Sequence, residues 1–161
     1  MIGPIAFFLG QLLPRENFDY YEYPYKSYKW EHEGMIYTKL KIQRWKDVVP
    51  DVSRRMNVVM RKRIREFRNA EYMDMLIRET CVAELVHWML ILLSPIYLVL
   101  VDGIAGVLGG IAYSILNLPF ILIQRYNRPR LVVLREKQLE MAERHKKKQL
   151  EIQAQPSPDA A

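Results

Sequence analysis

The stretch from Cys81 to Ile123, CVAELVHWMLILLSPIYLVLVDGIAGVLGGIAYSILNLPFILI, is almost entirely apolar. Its acidic and basic side chains are limited to Glu84, His87 and Asp102. A membrane-spanning helix needs about 20 apolar residues, so we predict two spans, at residues 81–101 and 104–123, joined at Asp102–Gly103. A buried hairpin in a soluble bundle is the alternative, but a core helix of a soluble protein keeps a polar face that is missing here. The sequence therefore predicts an all-α membrane protein built on a transmembrane helical hairpin.

The charge balance of the chain agrees with a membrane partner. Lys and Arg number 24 against 18 Asp and Glu, which gives a net charge of +6 and a pI near 9.4. Such a balance fits either a nucleic acid or an anionic membrane surface, and the apolar stretch favours the membrane, so no nucleic acid partner is expected. Basic residues are frequent on both sides of the hairpin and absent from its turn. The positive-inside rule then places both ends of the hairpin in the cytoplasm.

The regions before the hairpin differ in character. Residues 1–14, MIGPIAFFLGQLLP, form an apolar anchor that is short for a span and interrupted by Gly and Pro, so a short span, a re-entrant segment and an interfacial segment all stay open. Residues 15–80 are predicted to form a cytoplasmic interfacial region rich in aromatic and basic side chains. Within it, residues 51–68 have the pattern of an amphipathic basic helix lying on anionic lipid.

The two transmembrane helices, residues 81–124, include Pro95, and Pro129 follows them. Pro95 is expected to kink the first span near its middle, and Pro129 is expected to set a turn after the second. Residues 125–153 then carry a basic motif and a cytoplasmic helix with oppositely charged side chains four residues apart. The last residues, 154–161, are predicted to be a disordered tail.

Glu84 and His87 lie three residues apart, so they share one face of a helix. A carboxylate beside an imidazole can hold one tautomer and stabilise the imidazolium, which makes the pair a candidate general base. An ionisable group at membrane depth is costly unless it has a function or a partner. The alternative is a structural lock, in which Glu84 pairs with an arginine and His87 donates to a carbonyl. A metal site is not expected, because two ligands are too few.

Two further clusters are candidates for binding substrate. The segment QRYNRPR offers cations and amides suited to phosphate groups, namely Gln124, Arg125, Asn127, Arg128 and Arg130; ordinary basic flanking of a span is the alternative. If the hairpin folds back symmetrically about its turn, Ile121 lies level with Glu84 and this segment lies just outward of it. The segment QRWKDVVPD contributes Trp45, Lys46 and Asp47, either as a loop that closes over substrate or as a simple tryptophan anchor.

Four motifs in this order and spacing resemble one protein family. WEHEGMIY, which contains Trp30 and Glu31, is followed by QRWKDVVPD, AELVHW and NLPFILIQRYNRPRL. Over residues 30–134 the chain is similar to the glycosyl-4,4'-diaponeurosporenoate acyltransferase family of small bacterial membrane proteins. The founding member attaches a fatty acyl group to a sugar hydroxyl of a glycosylated carotenoid acid. The resemblance implies a multi-pass protein of the bacterial plasma membrane with its active site near the cytoplasmic face.

The resemblance also implies an activity and its participants. We expect a membrane-bound O-acyltransferase that moves a fatty acyl group from a thioester donor, acyl-CoA or acyl carrier protein, to a hydroxyl of a glycosylated lipid such as a carotenoid glycoside. Because no GxSxG or HxxxxD motif is present, we expect direct transfer without an acyl-enzyme or a cofactor. Membrane lipids are partners, and two or three spans enclose a long acyl chain poorly, so self-association or a complex with a pathway enzyme is plausible.

The resemblance selects positions, to which we assign roles as hypotheses. His87 removes the proton from the acceptor hydroxyl, Glu84 orients His87, and Asn127 or Gln124 stabilises the oxyanion. The remaining selected residues bind donor or substrate: Arg125, Arg128, Arg130, Trp45, Lys46, Asp47, Trp30 and Glu31. The competing interpretations are a non-catalytic membrane adaptor that binds lipid and a transferase that moves a different group.

Overall fold

A computed structural model describes residues 10–46 and 70–154 of the chain. The described part contains helices and no strand, which confirms the all-α class. The helices are α1 (Ile36–Lys39), α2 (Ile42–Trp45), α3 (Ala70–Leu92), α4 (Ile96–Leu100) and α5 (Gly103–Ala154), with short 3₁₀ turns at Arg15–Asn17 and Lys29–Glu31. Several predictions lie outside the described residues: most of the apolar anchor, the amphipathic helix at 51–68, Asp47, and the tail beyond residue 154.

Helices α3 and α5 pack side by side in antiparallel directions. Side chains that meet across them follow the opposite order in the two helices: His87 with Asn117, Glu84 with Arg125, Thr80 with Arg128, and Asp74 with Arg135. The chain reverses just before Gly103, whose φ of 71° is a conformation that glycine adopts without strain. The contacts across the helices agree with the predicted level of Glu84 with Ile121 to within about one helical turn: the short side chains of His87 and Asn117 meet in this register, and the longer arginines reach Glu84 from the next turns of α5.

Pro95 ends a helix instead of kinking one. We expected a continuous span over residues 81–101, but α3 stops at Leu92, and Pro95 (φ −59°) begins the separate helix α4. Proline lacks the N–H that would bond to the carbonyl of Ile91, and its ring clashes with that carbonyl. The amide of Ser94 bonds to this same oxygen at 3.1 Å and closes the turn. The prediction of a kinked but unbroken first span is therefore wrong.

Pro129 lies inside a helix. We expected a turn there and a separate helix beyond it, but α5 runs through Pro119 and Pro129 as a single helix of 52 residues. A proline in a helix interior costs roughly 3 kcal/mol in isolation. Here the preceding turn is held by buried contacts, since Tyr126 and Arg128 are 5% and 3% exposed. Packing against the rest of the protein outweighs the local preference, and the predicted cytoplasmic helix is the continuation of the second span.

Helix α5 is the one helix in the described part that is long and apolar enough to cross a membrane. Its apolar window has a mean hydropathy of 1.9, and only 28% of that window is buried in the protein. Large side chains face outward along it: Ile104, Leu108, Ile111, Ile115 and Leu116. An exposed apolar surface of this length indicates membrane association. The apolar part of α3, residues 81–92, is only about 18 Å long, which is shorter than the hydrocarbon layer.

The segment 15–46, here called the N-terminal segment, packs along the paired helices. Phe18 and Tyr20 join a buried cluster with residues of α3, and Tyr37 and Ile42 join a second one with Ile123 and Tyr126 of α5. Part of the aromatic region that we assigned to the membrane interface is therefore protein core. Other rings of this segment are exposed, including Tyr21, Tyr23 and Trp30.

Candidate functional site

Glu84 lies at the centre of a buried group of ion pairs. Its carboxylate is 2% exposed; Oε1 accepts from Arg125 Nε at 2.8 Å and Oε2 accepts from Arg128 Nη2 at 2.5 Å. Arg125 also donates from Nη1 to Glu31 Oε1 at 2.6 Å, and Glu31 accepts a further bond from the Tyr37 hydroxyl. Two carboxylates thus face two guanidinium groups, so their formal charges cancel. Buried charges require such pairing because each has lost its hydration.

The remaining donors of both arginines also point at protein atoms. Arg125 Nη2 donates to the Pro24 carbonyl at 2.6 Å, and Arg128 Nη1 donates to the Tyr25 carbonyl at 2.7 Å. Arg128 Nε reaches the Thr80 hydroxyl at 2.9 Å. These arginines therefore join the N-terminal segment to α3 and α5. Binding a donor phosphate with them, as we hypothesised, would require breaking these bonds.

His87 lies one turn further along α3 and contacts a different part of α5. Its Nδ1 is 2.9 Å from Asn117 Oδ1, and the Asn117 Nδ2 donates to the Tyr113 carbonyl at 2.8 Å. The ring of Phe120 stacks on the imidazole, with centroids 4.5 Å apart and planes 10° apart. Asn117 is absent from our hypothesised set. The sequence contained one signal for Asn117: it is an amide within an otherwise apolar span. A polar side chain in such a span needs a partner, as Glu84 and His87 do.

The second hypothesised patch gathers around the ring of Tyr126. The guanidinium carbon of Arg130 lies 3.6 Å from the ring centroid, and the Lys46 amine lies 5.3 Å from it. Trp45 packs against the same cluster and donates from its indole N–H to the Leu40 carbonyl at 3.1 Å. The segments QRWK and RYNRPR thus meet, although they are about eighty residues apart in sequence.

Three hypothesised residues remain, of which Trp30 contacts the ion-pair group through the ring of Tyr37, with ring centroids 6.5 Å apart. Gln124 is 5% exposed. Asn127 is half-buried on the next turn. Trp30 is 57% exposed and stacks on Tyr28 at the outer surface of the N-terminal segment. Among residues 10–46 and 70–154, no group of three or more His, Cys, Asp or Glu side chains could hold a metal ion.

Burial also affects the hydroxyl that closes the ion-pair group. Tyr37 is 2% exposed. Burial, followed by its hydrogen bond to Glu31, raises the pKa of Tyr37 well above its usual value. The hydroxyl therefore stays protonated and keeps donating to Glu31 at any physiological pH.

Fold and site together define a class: a helical, membrane-associated protein in which ion pairs and an imidazole lie beside an exposed apolar helix. The family follows from comparison with known proteins. Residues 22–137 match the family model for glycosyl-4,4'-diaponeurosporenoate acyltransferase. The chain belongs to this family and is an acyltransferase, as the four sequence motifs indicated.

Relatives of this family have similar sequences over most of the chain. A glycosyl-4,4'-diaponeurosporenoate acyltransferase of Staphylococcus haemolyticus (strain JCSC1435) is 32% identical over 127 residues, which cover 73% of this chain and 69% of the relative. The enzyme of the same name from Staphylococcus aureus (strain bovine RF122 / ET3-1) is 30% identical over 139 residues, which cover 85% and 83%. No solved structure matches the chain.

Proposed function

We propose that the protein is a membrane-bound O-acyltransferase that moves a fatty acyl group from a thioester donor to a hydroxyl of a glycosylated lipid at the cytoplasmic face of the bacterial plasma membrane. The relatives are named for a glycosylated carotenoid acid, so a carotenoid glycoside or a similar lipid is the proposed acceptor. The observation that carries the proposal is the position of His87. The protein belongs to an acyltransferase family, and its His87 imidazole lies beside the exposed apolar half of α5, where it is hydrogen-bonded to Asn117.

Distances along α5 suggest where the reaction takes place. The 22 residues from Gly103 to Gln124 extend about 33 Å, close to the thickness of the hydrocarbon layer. The ion-pair group at Arg125 would then lie at the cytoplasmic surface, because the positive-inside rule places the flanking basic residues on that side of the membrane. Asn117 lies eight residues, or about 12 Å, further in. His87, bonded to Asn117, would therefore lie about 12 Å inside the hydrocarbon layer on its cytoplasmic side, where it would meet the lipid hydroxyl.

The proposed step is direct transfer. His87 accepts the proton of the acceptor hydroxyl while that oxygen forms a bond to the carbonyl carbon of the thioester. The carbonyl oxygen becomes an oxyanion, and the C–S bond breaks when it collapses. The departing thiolate takes the proton back from the imidazolium, which leaves an ester, a thiol and neutral His87. No covalent acyl-enzyme is required.

Other residues have supporting roles in this proposal. Of the two amides proposed to donate to the oxyanion, Gln124 is the first candidate, because it lies seven residues, or about 10 Å, from Asn117 along α5, whereas Asn127 lies ten residues away. Arg125 and Arg128 are each held by several bonds to protein atoms, whereas among the described residues Arg130 donates to the Tyr126 carbonyl alone, so Arg130 and Lys46 at the Tyr126 ring are better placed for donor phosphates. Both acyl-CoA and acyl carrier protein carry a phosphorylated pantetheine arm. The two donors therefore share the chemistry that these cations would recognise.

The test is lipid mass spectrometry of cells that contain the wild-type protein, no protein, or the variant His87→Gln. We expect a glycolipid heavier by one acyl group in the wild type, and about a 100-fold or greater loss of it with His87→Gln. The matched control is His145→Gln, because His145 is exposed near the end of α5. Equal amounts of each variant in the membrane fraction must be verified. Full product formation by His87→Gln would rule out His87 as the base.

A further inference from the structure

We infer that Asn117 is a positioning residue that fixes the tautomer of His87, with the hydrogen on Nδ1 and none on Nε2. In the proposed function, Nε2 is then the atom that takes the acceptor proton. The catalytic meaning of the inference rests on that proposed function, whereas the tautomer itself does not.

The direction of the hydrogen bond follows from what each atom can do. An asparagine amide has an oxygen that only accepts and a nitrogen that only donates. The Tyr113 carbonyl can only accept, and Asn117 Nδ2 lies 2.8 Å from it, so this contact fixes which way round the amide sits. Asn117 Oδ1 therefore faces His87 Nδ1 at 2.9 Å. Nδ1 must carry the hydrogen, because otherwise two lone pairs would face each other.

Two successive turns of α5 supply the groups that orient the imidazole. Tyr113 lies four residues before Asn117 and sets the amide, and Phe120 lies three residues after it and stacks on the imidazole. Asn117 itself is 6% exposed, so water does not readily replace it as the partner of Nδ1. The ring plane and the position of the hydrogen are therefore set by the same helix.

The arrangement differs from the one in which Glu84 orients His87. Both oxygens of Glu84 accept from arginines, at 2.8 and 2.5 Å. A neutral amide beside the imidazole also adds no charge to a region next to exposed apolar surface, where a second unpaired carboxylate would be strongly disfavoured. Asparagine provides the acceptor that fixes the tautomer without this cost. Glu84 keeps the arginines in place, and Asn117 orients the base.

The first test reads the tautomer directly. The chain has three histidines, so protein with ¹⁵N-labelled histidine in lipid nanodiscs gives few ring signals, and His87→Gln assigns those of His87. We expect a protonated Nδ1 and an unprotonated Nε2 in the wild type. In Asn117→Leu, which removes the acceptor at similar size, we expect a mixture of both tautomers. A wild-type signal with the hydrogen on Nε2, or an unchanged signal in Asn117→Leu, would overturn the inference.

The second test separates positioning from helix packing. We expect Asn117→Leu to lower kcat about 10- to 100-fold with little change in KM. The matched control is Ser114→Ala, which removes the 2.8 Å bond between Ser114 and Ser94, another polar contact of α5. An equal loss in Ser114→Ala would assign the effect to packing and refute the positioning role. If the wild type makes no acylated lipid, the proposed function fails, and the ¹⁵N signal still decides the tautomer.

Discussion

Arg125 joins Glu31 and Glu84, two carboxylates from distant parts of the chain, through Nη1 at 2.6 Å and Nε at 2.8 Å. Glu31 belongs to the N-terminal segment and Glu84 to α3, so this guanidinium on α5 connects three parts of the fold. All three residues fall within the region that matches the family model. The family motifs therefore meet physically, and the following predictions separate their structural roles from their chemical ones.

The first prediction concerns the charge of Glu84. Glu84→Gln leaves Arg125 and Arg128 with one carboxylate between them in a buried setting, and loss of one partner from a buried ion pair typically costs about 3–5 kcal/mol. We expect a clearly lower melting temperature in detergent micelles, followed by circular dichroism. Glu143→Gln, in the exposed part of α5, is the control and should change stability by less than about 0.5 kcal/mol. Equal melting temperatures for the two variants would show that the ion-pair group does not hold the fold together.

The second prediction concerns the shape of the Arg125 side chain. Its three nitrogens bond to Glu84, Glu31 and the Pro24 carbonyl, and a lysine has one nitrogen that cannot reach all three. Arg125→Lys should therefore release the N-terminal segment while keeping the charge. We expect faster cleavage by trypsin within residues 15–46 than in wild type, measured by mass spectrometry of the fragments. The control is Arg144→Lys, the same substitution at an exposed position, and this variant should be cleaved at the wild-type rate. If Arg125→Lys is also cleaved at the wild-type rate, charge alone holds the segment.

The all-helical class, the family and the pairing of motifs could be predicted from sequence because each rests on local composition or on short motifs. An apolar stretch as long as residues 81–123 has few stable forms other than helices. The motif AELVHW and the motif NLPFILIQRYNRPRL lie on either side of a chain reversal, so their proximity follows from the reversal alone.

The details of the site were not predictable from local pattern, for physical reasons. Two prolines had opposite outcomes: Pro95 ends a helix, whereas Pro129 continues one because its neighbours are held by buried contacts. The partners of Arg125 lie up to 94 residues away, and no periodicity encodes a contact of that kind.

The third prediction uses the pH dependence of Asp74. Burial raises the pKa of Asp74, but hydrogen bonds from Arg78 at 2.7 Å and Tyr20 at 2.6 Å, together with positive charge from Arg78 and Arg135, outweigh it and hold the pKa below its usual value. A lowered pKa in the folded state means that the stabilisation is present above about pH 4, the ordinary value for aspartate, and is lost as pH falls through the folded value. The wild type should therefore lose stability in acid.

The variant Asp74→Asn removes this titrating group. We expect a lower melting temperature than wild type at pH 7 and a smaller further fall between about pH 4 and pH 2, followed by circular dichroism at each pH. Glu143→Gln is again the control, because its exposed carboxylate has no partner of this kind among the described residues. If Asp74→Asn and wild type lose stability in parallel below pH 4, Asp74 does not contribute to the acid sensitivity.

The fourth prediction concerns the close contact between α4 and the start of α5. A Cβ added at Gly106 would lie 2.1 Å from the Val101 carbonyl oxygen and 2.8 Å from that of Tyr97. Both distances are shorter than real Cβ contacts, so the backbone would have to move. Three residues later, a Cβ at Gly109 would meet only a ring atom of Tyr97 at 3.6 Å, an ordinary contact. Gly106→Ala should therefore destabilise the protein by about 1–3 kcal/mol through overpacking. Gly109→Ala should be neutral or stabilising, because alanine is the better helix former by about 1 kcal/mol.

Thermal unfolding of both variants in the same detergent measures this difference, and it does so without reference to activity. The two substitutions add the same methyl group to the same helix, so the gain in helix propensity is similar in both. The main difference is the distance from the added methyl group to the carbonyls at the end of α4. A lower melting temperature for Gly106→Ala alone would establish that α4 packs closely against α5, whereas equal values would mean that the chain between Leu92 and Gly103 is not held against α5 at this point.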